Sequence, residues 1–305
     1  MLSLGVFSTL VFYVALMYIR DPVVLGLFYG LGIATFWPSF NLLLFRLSDT
    51  GRRATIISLF SVAIPSITGV VSPAVGGFFI ESFGFTSLFA CSIILYLVAF
   101  IFSLHIRCLP EVQGFSVPKR RVFAVFLMTF VLFGMSESYW IAYPLYVYDV
   151  SASVSSMGLV VAACSLINSV IAVAVCRVSD VKRIRVKFAV LGAVLYAFWY
   201  LALTVVSDMV GIVVLSTVSG FASAFSLSWY AHYGDTFERK YHASILVMME
   251  VALMAGRLGN LVPTYFFVTA KNYVPYFVFL GIVSLLLIPL FLGSRRRIRQ
   301  DTSPR

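Results

Sequence analysis

The chain has 305 residues, of which 61% are hydrophobic and 11% charged, with a formal net charge of +10. About 45 to 50% apolar and about 25% charged is usual for a soluble domain, so this composition excludes one and describes a polytopic membrane protein. The positive charge does not call for a nucleic-acid partner, because its placement along the chain follows membrane topology.

A helix crossing about 30 Å of hydrocarbon needs about 20 apolar residues, and the sequence supplies ten such runs. In chain order they are Leu2 to Ile19, Val23 to Leu44, Ile56 to Ile80, Thr86 to Ile106, Val122 to Tyr146, Ser155 to Val175, Val186 to Val206, Val210 to Tyr230, Ala243 to Val268 and Val274 to Leu292. The expected class is therefore an all-α polytopic membrane protein with about ten transmembrane helices. When the span ends are numbered alternately, 19 of the 22 basic residues fall on one side, only Arg20 and Lys271 on the other, and Arg257 within a span. By the positive-inside rule the first side is cytoplasmic, with both termini inside a cell membrane. Met1 to Ile19 lacks a basic n-region and a small-residue cleavage site, so it reads as a span.

The first four spans, residues 1–107, form one block. Residues 108–121 form a short linker on the basic side, residues 122–294 a six-span block, and residues 295–305 a basic tail. The two blocks share a repeat. At an offset of 187, Leu4, Gly5, Tyr13, Ala15, Leu16 and Asp21 fall on Leu191, Gly192, Tyr200, Ala202, Leu203 and Asp208. At an offset of 190, Gly30, Ala34, Gly69 and Pro73 fall on Gly220, Ala224, Gly259 and Pro263. A turn that must stay in water cannot drift into the membrane, so the preserved register marks an internal duplication. Spans one to four pair with seven to ten, and spans five and six have no partner.

Six helices per half would restore the symmetry, and the order of helices and polar turns resembles a major facilitator superfamily transporter, read as that fold's third to twelfth helices. Two motifs carry the resemblance. Gly69, Val70, Val71, Ser72, Pro73, Ala74, Val75, Gly76 and Gly77 are similar to the family's GxxxGPxxGG signature, with Ser72 in place of a glycine. That signature is associated with proton-driven exporters; small residues also simply allow tight helix packing. Cys176 to Arg185 resembles the family's GxxxD(R/K)xGx(R/K) loop, of which Asp180 alone is carried over as a latch residue; a basic anchor setting topology would read the same way. The resemblance also implies an unseen preceding pair of helices of about 66 residues, matched to Val122 to Lys187.

Ionisable residues inside a membrane are costly and are functional candidates by default. Glu137 lies about 22 Å into span five and Arg257 about 21 Å into span nine, so a pair between them is plausible, direct or through substrate. A carboxylate balanced between desolvation and a nearby arginine suits proton exchange; a static pair, or a glutamate satisfied by Ser136 and Ser138, is the competing reading. Glu250, one face with Arg257 but nearer the basic side, reads as interfacial or gating. Trp37, Asn41, Trp140, Asn168 and Asn260 are further pathway candidates, and Gly69, Pro73, Gly76 and Gly77 conformational ones. Cys91, Cys108, Cys164 and Cys176 have no metal-ligand spacing, and His105, His232 and His242 no nucleophile at motif distance.

The expectation is secondary transport of a small organic solute by alternating access, by a monomer without cofactor or metal, with protons as the candidate coupling ion. Direction and substrate are not readable, the glycine-proline helix leaning toward proton-coupled efflux of small organic or amphipathic molecules and the arginine leaving organic anions open. The other function class is a family-related membrane protein that no longer transports, acting as a scaffold or persisting as a decayed remnant.

Overall fold

The computed structural model describes residues 1–49, 51–106, 115–118, 121–137 and 141–302. Eleven α-helices are described: α1 (Leu2–Tyr18), α2 (Pro22–Leu47), α3 (Arg53–Ser58), α4 (Ile64–Leu104), α5 (Arg121–Ser136), α6 (Ala142–Ser151), α7 (Val154–Lys182), α8 (Arg185–Leu203), α9 (Met209–Thr236), α10 (His242–Pro263) and α11 (Tyr273–Thr302). Seven helical stretches among the described residues are long and apolar enough to cross a membrane. The molecule is an all-helical, multi-pass membrane protein.

The ten runs map onto these helices with two informative departures. Span three is a composite of α3, a π-helical turn at Leu59–Ala63 and the start of α4, and α4 continues into span four through Gly84, whose φ of 78° turns the chain. Only glycine adopts that conformation without strain. Span five is not one helix: α5 stops at Ser136 and α6 begins at Ala142. Side chains from other helices take up the carbonyls at this break, since the Tyr200 hydroxyl donates to Ser136 O and Asn260 Nδ2 donates to Glu137 O at 3.5 Å. Non-helical backbone at membrane depth is tolerated where protein supplies such partners.

The repeat is visible as equivalent local structure. Asp21 caps α2, accepting from Val23 N and Val24 N, and its match Asp208 caps α9, accepting from Gly211 N at 2.8 Å. Gly5 lets α1 press on α2, where an added Cβ would sit 2.7 Å from Phe36 N; its match Gly192 lets α8 press on α9, where a Cβ would sit 3.0 Å from Ala222 O.

Packing separates two groups. α1 packs on α2 and α4; α5 packs on α10 and α11, and α8 on α9 and α11. The second group has an aromatic interior of Phe126, Phe130, Tyr233, Trp229 and Phe291. α7 lies along the seam, against α4 on one side and α9 on the other, and α2 meets α10.

Candidate functional site

The break in span five places a carboxylate where a helix would otherwise run on. Glu137 follows the last turn of α5, and its carboxylate accepts from Arg257 Nε at 2.7 Å and Nη2 at 3.2 Å. The side chains are 23% and 31% exposed, so the pair is partly open. Ser136 Oγ donates to Phe133 O, so among the described residues the Glu137 carboxylate is held by Arg257; Ser138 lies outside them. Two glycines set this geometry. A Cβ on Gly134 would fall 2.1 Å from Leu253 O, and one on Gly256 would fall 2.0 Å from Val131 O, so α5 and α10 touch backbone to backbone. Small residues allow such approach in lipid, and here it carries Glu137 and Arg257, three and one residues further on, into bidentate range.

Asn260, one turn beyond Arg257, fastens the same corner. Its Nδ2 reaches Glu137 O, and its Oδ1 accepts from the Tyr276 hydroxyl at 3.2 Å. A second polar contact lies toward the basic end and joins the two helix groups: Asn41 Nδ2 of α2 donates to Glu250 Oε1 of α10 at 3.3 Å. Tyr230 of α9 is within electrostatic range of Glu137, Glu250 and Arg257. Trp37 is one turn from Asn41 and 40% exposed. Asn168 stands apart from these contacts, with Oδ1 buried and unpartnered among the described residues. Trp140 lies outside the described residues.

At the basic end, Asp180 is 4% exposed and accepts from Thr55 N and Oγ1, both at 2.8 Å, from Ala54 N at 3.3 Å and from Arg185 Nη2 at 2.6 Å. Its carboxylate thus caps α3 across the seam. Asp235, at the end of α9, pairs with Arg53 at 2.7 Å and with Arg185. Phe45 of α2 wedges in beside it, 5.1 Å beneath the Arg53 guanidinium and 5.3 Å from the His242 ring. At the opposite end, Glu81 accepts from Ser155 N at 3.0 Å and Ser153 Oγ at 3.2 Å, while Gly77 touches α7: a Cβ there would sit 2.9 Å from Ser155 Cα. Gly76 has open space instead, and Gly69 and Pro73 lie within α4.

The sequence model of the Major Facilitator Superfamily matches residues 125–305, more than half of the chain. The chain belongs to the Major Facilitator Superfamily. This membership places it among membrane transporters. Its fold is similar to the crystal structure of the human organic anion transporter MFSD10 (TETRAN), at 15% identity and a TM-score of 0.67, covering 95% of this chain and 76% of that one. It is also similar to a bacterial homologue of the iron transporter ferroportin in an outward-facing state, at 13% identity and a TM-score of 0.65, covering 97% of this chain and 83% of that one. No curated protein sequence matches the chain. At these identities the likeness is one of fold.

Sequence reasoning did not single out Asp235, Glu81 or the Gly134–Gly256 crossing in this superfamily member. Asp235 had a signal: it is an acid placed within the basic rim. The glycine crossing had none, because one-dimensional spacing does not say which glycines of two distant spans meet.

Proposed function

We propose that this protein moves a small organic solute across the membrane by alternating access, with α1–α4 and α5–α11 as the two rocking units and the basic face cytoplasmic. The observation that carries the reading is the Glu137–Arg257 pair, seated at a helix break at mid-depth and partly open. A charge pair at that depth costs too much to retain as mere packing, and discontinuous helices are where carriers of this kind hold their solutes. Asn41, Trp37 and Asn260 are assigned to the pathway around it, Asn168 to the pathway away from the pair, and Trp140 to the pathway by its place in the sequence alone.

Contacts around Asp180 and Asp235 support a closed cytoplasmic side, with α4 as the helix that rocks through Gly69, Pro73, Gly76 and Gly77, and Glu250 as the gate. An outward-facing neighbour of similar fold agrees with that conformer. Coupling to protons follows if Glu137 releases Arg257 and takes a proton as the cavity opens. The test is acridine-orange dequenching in everted vesicles carrying an imposed pH gradient, scanned with a panel of organic cations, anions and neutral solutes. A solute that collapses the gradient with the wild type, and not with E137Q or R257Q, supports the assignment. Wild-type flux in both variants removes Glu137 and Arg257 from the mechanism.

A further inference from the structure

Resting on the transport reading, we propose that the solute carries a positive charge and that Glu250 is the group that recognises it. Among the described residues, the site from the mid-depth pair toward the basic end contains two carboxylates, Glu137 and Glu250, and one guanidinium, Arg257. Arg257 spends Nε and Nη2 on Glu137 in a bidentate pair, the strongest arrangement open to a guanidinium. Glu250 lies seven residues earlier on the same helix face, about 10 Å down the axis. Its one hydrogen bond among the described residues comes from a neutral amide, Asn41, at the long distance of 3.3 Å. With both carboxylates ionised, the cluster of Glu137, Glu250, Arg257, Tyr230 and Asn41 has a net charge of −1, and the uncompensated charge sits on Glu250.

A carboxylate away from bulk water binds a cation strongly and repels an anion. To use this site an anion would have to take Arg257 from Glu137 and then face two free carboxylates. The aromatic surface agrees with the charge count. Trp37 is one turn along α2 from Asn41, on the same face and 40% exposed, where its ring can cover a cationic group held at Glu250. Asn41 and Trp37 come from α2 while Glu250 comes from α10, so a cation bound there bridges the two helix groups. The chemical class is an amine or quaternary ammonium or phosphonium on an organic body.

The experiment compares tetraphenylphosphonium with tetraphenylborate, two ions of nearly equal shape and opposite sign, binding to the purified full chain in nanodiscs. Wild type should bind the phosphonium, E250Q should weaken it about tenfold, and W37L should weaken it several-fold. E250Q should leave the borate unchanged or bound more tightly. Size-exclusion profile and melting temperature establish that each variant is folded, and E250D, which retains the charge, should keep most of the phosphonium affinity. Equal phosphonium binding by wild type and E250Q, no phosphonium binding by the folded wild type, or a borate preference that E250Q does not alter would overturn the proposal. Binding and flux separate the two readings. Phosphonium binding through Glu250 without any solute flux sinks transport alone, whereas Glu137-dependent flux confined to anions sinks the cation assignment alone.

Discussion

Alanine at Gly134 tests whether the backbone contact between α5 and α10 is what builds the central charge pair. The new Cβ would start 2.1 Å from Leu253 O, and ordinary contact begins at 3.4 Å, so the helices must part by about 1.3 Å there. Because Glu137 is three residues away, most of that displacement reaches the pair. Its bonds of 2.7 and 3.2 Å would then lengthen to about 4.0 and 4.5 Å, outside hydrogen-bond range. Overpacking costs about 1–3 kcal/mol. The pair is a quarter to a third exposed, so its loss is discounted to about 1 kcal/mol. The sum predicts a melting temperature lower by several degrees in detergent, read by intrinsic fluorescence, and flux reduced at least about tenfold in the vesicle assay. G259A is the control, since a Cβ there meets nothing closer than Met135 Cγ at 3.7 Å, and it should behave as wild type. G134A and R257Q act on one pair, so their combined cost should fall short of additivity by about 1 kcal/mol. A folded G134A protein with an unchanged melting temperature and full flux would refute the reasoning, as would strict additivity with R257Q.

Three further outcomes follow from the same geometry. G77A should destabilise, because its Cβ would meet Ser155 Cα and Val154 O at 2.9 Å, while G76A should be neutral because nothing lies within 4 Å; equal melting temperatures for the two would contradict the α4–α7 packing. D180N strips charge from a buried cap and should cost about 2–4 kcal/mol; with the other three cysteines changed to serine, it should also speed maleimide labelling of the buried Cys176, and unchanged labelling would show that the seam does not depend on Asp180. At the far end, the Lys271 ammonium at 2.8 Å and the Tyr273 hydroxyl at 2.7 Å hold the Asp149 carboxyl below its ordinary value. A depressed folded value gives stability that is present above the unfolded value of about 3.9 and is lost as pH falls through the folded one. D149N should therefore lower the melting temperature slightly at pH 7 and show a shallower acid loss than wild type between about pH 4 and pH 2; parallel acid curves would remove the Asp149 contribution.

How much of this was legible in one dimension depends on the range of the cause. Ten apolar runs, the side on which bases collect and the caps at Asp21 and Asp208 are local facts, fixed by hydrocarbon thickness and by backbone amides that need an acceptor. Glu137 and Arg257 were found because a charge in an apolar run is conspicuous wherever it pairs. The break after Ser136 was not legible: residues 137–141 contain neither glycine nor proline, and the partners that take up its carbonyls, Tyr200 and Asn260, lie 64 and 123 positions away. The contact of Asn41 with Glu250 was hidden for the same reason, since each residue was visible but their meeting depends on how α2 crosses α10.

That division bears on mechanism. Within the second helix group the contacts are aromatic and aliphatic: Phe126, Phe130, Trp229, Tyr233 and Phe291 share one dry interior. Across the seam polar contacts stand beside apolar ones: Asn41 to Glu250, Arg53 to Asp235, Thr55 to Asp180 and Ser155 to Glu81, with Phe45, Ala54 and Ile57 reaching into that interior and Val62 against Ala172 and Ala224. A dry interface must lose its packing before anything replaces it, because apolar atoms gain little from water. A polar seam can exchange each bond for one to water as it opens, at a small net change per bond. On the transport reading proposed above, the polar contacts of the seam are where the molecule parts, and the interior of α5 and α8–α11 is the part that moves as a body. A carrier that alternates between two open faces requires both properties. Converting a seam contact to apolar side chains on both sides, with N41L and E250L together, should lock the molecule rather than unfold it: a higher or unchanged melting temperature with lost flux. A lower melting temperature with retained flux would show that the polar seam is needed for folding and not for motion.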